Sequence, residues 1–190
     1  MAMWIGLALS FLIGTAIGLD TLVAPKQQQQ PPQPPPCSEA AARQFDFWIG
    51  DWDLRYKRRL SADKDEWQQG TATNRIERAM DSCVIVENFV DGPEGGGYRG
   101  MSVSAYDANA KKWKQTWVDN QGSYLDFVGE FKDGRMVLSR EATTSKGEKR
   151  IQRMVFHDIT KDRLLWDWEV SRDNGATWIP LWQAEYTRKR

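Results

Sequence analysis

QFDFWIGDWDLRY, residues 44–56, gathers Phe45, Phe47, Trp48 and Trp52 around Gly50 and sets Asp46, Asp51 and Asp53 between them. In an extended chain successive side chains point to opposite faces, so Asp51 and Asp53 share one side and Trp52 takes the other. The stretch reads as the first strand of a sheet. Two roles compete for its aromatics: ordinary core, or the floor of a ligand site with carboxylates at its rim. Gly50 lets the chain turn sharply or approach a neighbouring backbone, which allows Trp48 or Trp52 to plug one end of a closed sheet.

Beyond residue 44 helical periodicity is nearly absent. Short runs rich in aromatic and β-branched residues recur instead, separated by turn-forming residues, the pattern of an antiparallel all-β chain. Strands are expected near residues 49–58, 67–78, 83–90, 98–106, 111–118, 123–131, 134–141, 149–157, 163–171 and 177–187. The turns between them include DGPEGGG at 91–97, DANAK at 107–111, DNQG at 119–122, KDG at 132–134, SKGE at 145–148 and RDNG at 172–175. A short N-terminal helix is expected over Ser38–Gln44, with Ser38 as its N-cap before EAAAR.

A meander of about ten short strands either closes on itself or leaves two exposed edges, and closure removes the edge problem. An antiparallel up-and-down barrel is therefore expected over residues 37–190. The competing two-sheet sandwich shows the same alternation, but Greek-key sandwiches need some long crossings, and the connections here are short. Parity places Trp113, Gln115 and Trp117 on one face, Leu164, Trp166, Trp168 and Val170 on another, and Trp178, Pro180, Trp182, Ala184 and Tyr186 on a third. If these faces share one interior, Leu125, Phe127 and Phe131 stand opposite. Such a barrel can be packed solid or can enclose a ligand cavity.

The N-terminal end differs from the rest. Residues 1–19, MAMWIGLALSFLIGTAIGL, carry no charged side chain, and residues 25–36 hold six of the eight prolines with only Gln and one Lys besides. Residues 1–24 read as an export signal or a membrane anchor, and 25–36 as a Gln/Pro-rich linker. On this reading the protein is extracytoplasmic, in a bacterial periplasm, either released or tethered to the membrane through residues 1–19. The 26 basic and 26 acidic side chains cancel, which removes the electrostatic case for a nucleic-acid partner. Oligomeric state stays open between monomer and homodimer. Cys37 and Cys83 form an even pair that can oxidise in an exported chain; one exposed and one buried thiol, or an intermolecular link, are the alternatives.

The opening QFDFWIGDWD resembles the first strand of lipocalin and calycin barrels. Taken with GTATNRIE at 70–77, KWKQTWVDNQG at 112–122, EFKDGRMVL at 130–138 and SRDNGATWIPLWQAEYTRK at 171–189, it is similar to an exported bacterial family of unknown function related to the DUF1579 domain. The resemblance implies a calycin-like barrel and carries no reaction with it. More distantly, the chain resembles nitrobindin-like barrels, which hold haem through a histidine.

The candidate chemistry is sparse. Asp51 and Asp53 could divide acid and base roles in a hydrolase, but rim carboxylates with Arg55, Arg58 and Arg75 as partners explain them more simply. His157, the lone histidine, could ligate haem iron, yet it stands beside Asp158 at a strand end, where a half-exposed structural role fits. A zinc site lacks the imidazoles it needs. SRDNGATW at 171–178 matches the Asp-box hairpin of sialidase-like propellers, but one copy makes a hairpin and not a propeller. No catalytic residue, metal ligand or cofactor is assigned. The leading expectation is a noncatalytic barrel that binds a small apolar or amphipathic ligand, its mouth near Trp117, Asp119 and Asn88 and with Trp48 and Trp52 deeper. A scaffold or protein-interaction domain without an internal ligand is the alternative.

Overall fold

The structure, a computed structural model, describes residues 35–190. Ten strands follow two short 3-10 turns, Ala40–Arg43 and Asp46–Trp48: β1 (Gly50–Arg59), β2 (Trp67–Ala79), β3 (Val84–Asp91), β4 (Arg99–Asp107), β5 (Lys112–Asp119), β6 (Tyr124–Lys132), β7 (Arg135–Thr143), β8 (Lys149–His157), β9 (Arg163–Ser171) and β10 (Ile179–Arg188). Their ends fall within two residues of those expected from alternation and turn chemistry. Each strand pairs antiparallel with its sequence neighbours, and β1 pairs with β10 from Trp52↔Arg188 to Arg58↔Trp182. The sheet is thus a closed up-and-down barrel, and a sandwich is excluded.

Alternation builds the interior directly. Along β1 Trp52, Leu54 and Tyr56 are buried while Asp51, Asp53 and Arg55 are exposed. One expected face fails. In β10 the register slips between Pro180 and Trp182, so Leu181 is an extra residue that reverses the parity behind it. Trp182, Ala184 and Tyr186 line the interior as expected, but Trp178 lies outside, 3.7 Å from the Arg153 guanidinium.

The opening stretch closes one end of the barrel. Phe45 stacks on Trp48 at 5.0 Å and meets Trp113 and Phe156 edge-on at 5.3 and 5.2 Å. The Trp52 indole N–H donates to the Trp48 carbonyl at 2.8 Å. Arg188 then fastens the plug: its guanidinium donates to the carbonyls of Ile49, Phe47 and Lys161 and lies 4.0 Å over the Trp52 ring. Gly50 has φ +133°, and a Cβ there would collide with that guanidinium, so both freedoms of glycine are used at one position. Truncating a buried aromatic of this plug would cost about 3–5 kcal/mol.

The expected disulfide is present. Cys37 and Cys83 are bridged with their Cα atoms 5.2 Å apart, which ties the segment ahead of the first 3-10 turn to the turn before β3. The expected short N-terminal helix is present, but its cap differs. It is a 3-10 turn preceded by Glu39, with no side-chain cap, so Ser38 is not its N-cap.

Among the described residues no helix is long and apolar enough to cross a membrane. The tether expected of residues 1–19, and the extracytoplasmic placement drawn from it, gain no support from the described residues. Residues 1–24 and most of the expected linker at 25–36 lie outside the described residues.

Candidate functional site

The plug fills one end, and the other end holds a cavity of about 400 Å³. Its floor is made by Trp48, Phe156, Tyr186 and Glu87; Phe89, Phe127, Trp166, Trp168 and Trp182 form its walls; Arg58, Arg59, Tyr98, Trp117, Asp119, Gln121 and Ser123 surround its mouth. The size lies within the range of about 300–1,000 Å³ usual for small-molecule sites. The wall rings meet mostly edge-on, Trp166 with Trp182 and Phe89 with Trp182 each at 5.8 Å. Edge-on rings leave faces turned toward the space between them.

At the mouth, Trp117 and Asp119 form one unit. Asp119 Oδ2 accepts from Tyr98 Oη at 3.0 Å and from Trp117 Nε1 at 3.1 Å, while Oδ1 accepts the backbone N–H groups of Gln121 and Ser123, each at 3.0 Å. Burial pushes this carboxyl up, but the bonds from Ser123, Trp117 and Gln121 outweigh it and hold the group at about 2. Asp119 therefore orients Trp117 and builds the turn; its lone pairs are engaged within the chain. Trp117 lies over Gly100, where a Cβ would collide with the indole ring, so the bare backbone of β4 sets the ring's depth.

The other residues singled out by sequence fall in different places. Trp48 lines the floor. Trp52 is fully buried behind it, 5.9 Å from the Tyr186 ring, and does not reach the cavity. Asn88 is exposed on the outer wall, because Glu87 and Phe89 on either side face in. Its expected place at the mouth is corrected accordingly.

Glu87 is the group that sequence reasoning passed over. The run VIVENFVD puts Ile85, Glu87, Phe89 and Asp91 on one buried face, so a carboxylate in step with Ile and Phe was the available signal. Asn74 Nδ2 donates to Glu87 Oε1 and Ser102 Oγ to Oε2, each at 2.6 Å. Burial pushes the carboxyl up to about 7, against the opposing pull of the Ser102 and Asn74 hydrogen bonds. Asn74 also donates to the Tyr186 hydroxyl at 3.2 Å.

Candidates for catalysis do not converge. Asp46 pairs with Arg43 and Arg78 beside the plug, whereas Asp51 and Asp53 are exposed on the outer wall, with Lys189 Nζ 3.3 Å from Asp53. His157 alternates with inward Phe156 and faces out, its ring nitrogens 3.1 Å from Asp158 and 3.0 Å from Asp167. It cannot coordinate a haem within the barrel. Among the described residues no cluster of three His, Cys, Asp or Glu side chains is spaced to hold a metal. The 171–178 segment is a hairpin turn, as expected: Asp173 Oδ1 accepts from Ser171 Oγ at 2.7 Å and from the Thr177 N–H at 2.9 Å, and Asn174 and Gly175 take positive φ.

The family described as "Protein of unknown function (DUF1579)" matches residues 39–188. The chain belongs to this family. No curated protein matches this DUF1579 member. Among solved structures, it is similar to Rv2717c from M. tuberculosis at a TM-score of 0.57 and 10% identity, over 80% of this chain and 99% of that one. It is also similar to the S-type phycobiliprotein lyase CPES from Guillardia theta at a TM-score of 0.55 and 10% identity, over 81% of this chain and 95% of the lyase. At that identity the likeness is one of fold.

Proposed function

We propose that residues 37–190 form a calycin-like, noncatalytic barrel that binds a small apolar or amphipathic ligand in its aromatic cavity. The observation that carries this reading is a space of about 400 Å³ walled by aromatic faces and open at one end. Apolar walls supply most of the affinity in such a site, and a few placed polar groups orient the ligand. Here those groups are Glu87 at the floor and Arg58 at the mouth. Trp117 contributes the ring surface that a ligand body meets on entry, and Trp48 the surface at which it stops.

The test follows intrinsic tryptophan fluorescence of the protein against a panel of apolar, planar and sugar-like compounds. At least one apolar or planar compound changes the signal, and Trp117→Ala weakens its binding roughly 2- to 10-fold, the worth of one lost aromatic contact, while circular dichroism stays unchanged. No response from the wild type across the panel overturns the assignment.

A second reading, a scaffold or protein-interaction domain, draws on the outer wall. Val90, Met101, Val103, Tyr124 and Val128 are exposed there, with Met101↔Val118 and Val118↔Tyr124 adjacent in register across β4, β5 and β6. Contiguous exposed apolar surface marks interaction sites. Met101→Lys discriminates the two: it leaves cavity binding intact and abolishes any association made through this wall.

A further inference from the structure

The polar groups of the cavity are unequally satisfied. At the mouth each guanidinium has a carboxylate beside it: Arg59 is 3.0 Å from Asp65 and 4.7 Å from the Trp67 ring centroid, with its Nε buried and unpartnered, and Arg58 is 4.0 Å from Asp91. Glu87 at the floor is different. Among the described residues no Lys, Arg or His is paired with it, and its only hydrogen-bond donors are Asn74 and Ser102. A carboxylate has about four lone-pair positions, so acceptor capacity remains, and Asn74 Oδ1 next to it is also buried without a partner. An ionised carboxylate left in this state is costly. The walls add the same preference, since the π-faces of Phe89, Trp166 and Trp182 attract positive charge.

Resting on the reading of the cavity as a ligand site, we propose that it takes a small amphipathic amine, whose ammonium group engages Glu87 while its hydrocarbon or aromatic body lies against Phe89, Trp166 and Trp182. The ammonium supplies the counter-charge and the N–H donors that the floor lacks. Trp48 and Trp182 each hold a buried indole N–H without a partner, and these favour a neutral acceptor. The matched alcohol is therefore the right comparator for the amine.

The assignment makes binding depend on pH in a defined direction. The titratable groups that face Glu87 are Tyr186 from β10 and Tyr98 from the segment before β4, both pushed above the ordinary tyrosine range and hence neutral; Arg58, Arg59 and Asp119 stand at the mouth. An alkylammonium titrates near lysine, about 10.4, and stays charged throughout the neutral range. Only Glu87, at about 7, changes state there. Amine affinity therefore rises with pH, by up to about tenfold per unit below 7, and levels off above it. Alcohol affinity does not follow.

The experiment titrates the full chain with 4-phenylbutylamine, 4-phenylbutanol and 4-phenylbutyrate, following tryptophan fluorescence from about pH 5.5 to about pH 8. At the upper pH the amine binds about 10- to 100-fold tighter than the alcohol, the worth of a hydrogen bond to a charged group, and the carboxylate binds weakest. Glu87→Gln brings amine and alcohol together and removes the pH dependence; should that variant not fold, the wild-type pH profile decides. A carboxylate that binds tightest, an amine-to-alcohol ratio independent of pH, or a ratio that survives Glu87→Gln overturns the proposal. If alcohol and amine bind equally, this assignment fails and the cavity reading stands. If none of the three binds, this assignment fails, and the cavity reading is decided by the wider panel.

Discussion

Glu87→Gln in the ligand-free protein should change the pH dependence of stability by an amount the structure fixes. The Glu87 carboxyl goes from an ordinary value of 4.5 to about 7 on burial. Between those values the folded state holds a proton that the unfolded chain has released, so wild-type stability falls as pH rises. At about 1.36 kcal/mol for each tenfold change in proton affinity, a rise from 4.5 to about 7 is worth about 3 kcal/mol. That contribution is fully present below 4.5 and lost by the time pH has passed about 7. Glutamine has nearly the same shape and no charge to desolvate. Relative to wild type, Glu87→Gln therefore gains about 3 kcal/mol between acid and alkaline ends of this window, whatever constant offset its altered bonds to Asn74 and Ser102 impose. Urea unfolding of both proteins from about pH 4.5 to about pH 8 reads the difference, and every other titrating group cancels in it. A difference that is flat with pH would refute the reasoning, because Glu87 would then be hydrated or paired in the folded state.

Arg188→Ala removes the donor to the carbonyls of Phe47, Ile49 and Lys161 and should lower stability by about 2–4 kcal/mol; Arg188→Lys restores less than half, since one ammonium cannot span the three acceptors. Both are read by urea unfolding, and a full rescue by lysine would show that charge alone matters. Replacing Cys37 and Cys83 together by Ala opens a link across 46 residues, for which chain entropy sets a loss of about 4 kcal/mol; reduction of the wild type should lower its melting temperature comparably, and an unchanged temperature would contradict the staple.

The barrel was legible because its determinants are local. Alternation and turn residues such as KDG and RDNG mark strands without reference to the rest of the chain, and QFDFWIG carries its own aromatic plug. What was missed depends on distant partners or on single-residue shifts. Arg188 reads only as part of a basic tail until β10 brings it to Ile49, 139 residues away. The Leu181 bulge leaves no mark in a parity count, and it turns Trp178 out of the interior. Asn88 suggests a mouth position by its polarity alone, although the alternation in VIVENFVD assigns the inward position to its neighbour Glu87. Conversely, Trp117 with Asp119 could be paired from sequence because a strand end and its turn are contiguous.

The central claim is that the barrel interior contains space and not only packed side chains, and Ala184→Leu tests it most directly. Ala184 is buried, its side chain lining the cavity next to Trp182 and Tyr186 on β10. Added methyl groups enter empty space if the cavity exists, so stability in urea stays level or rises by about 1 kcal/mol as apolar area is buried, while fluorescence-detected binding of 4-phenylbutylamine is lost. A solid interior would instead be overpacked, and a destabilisation of about 1–3 kcal/mol with ligand response unchanged would contradict the account.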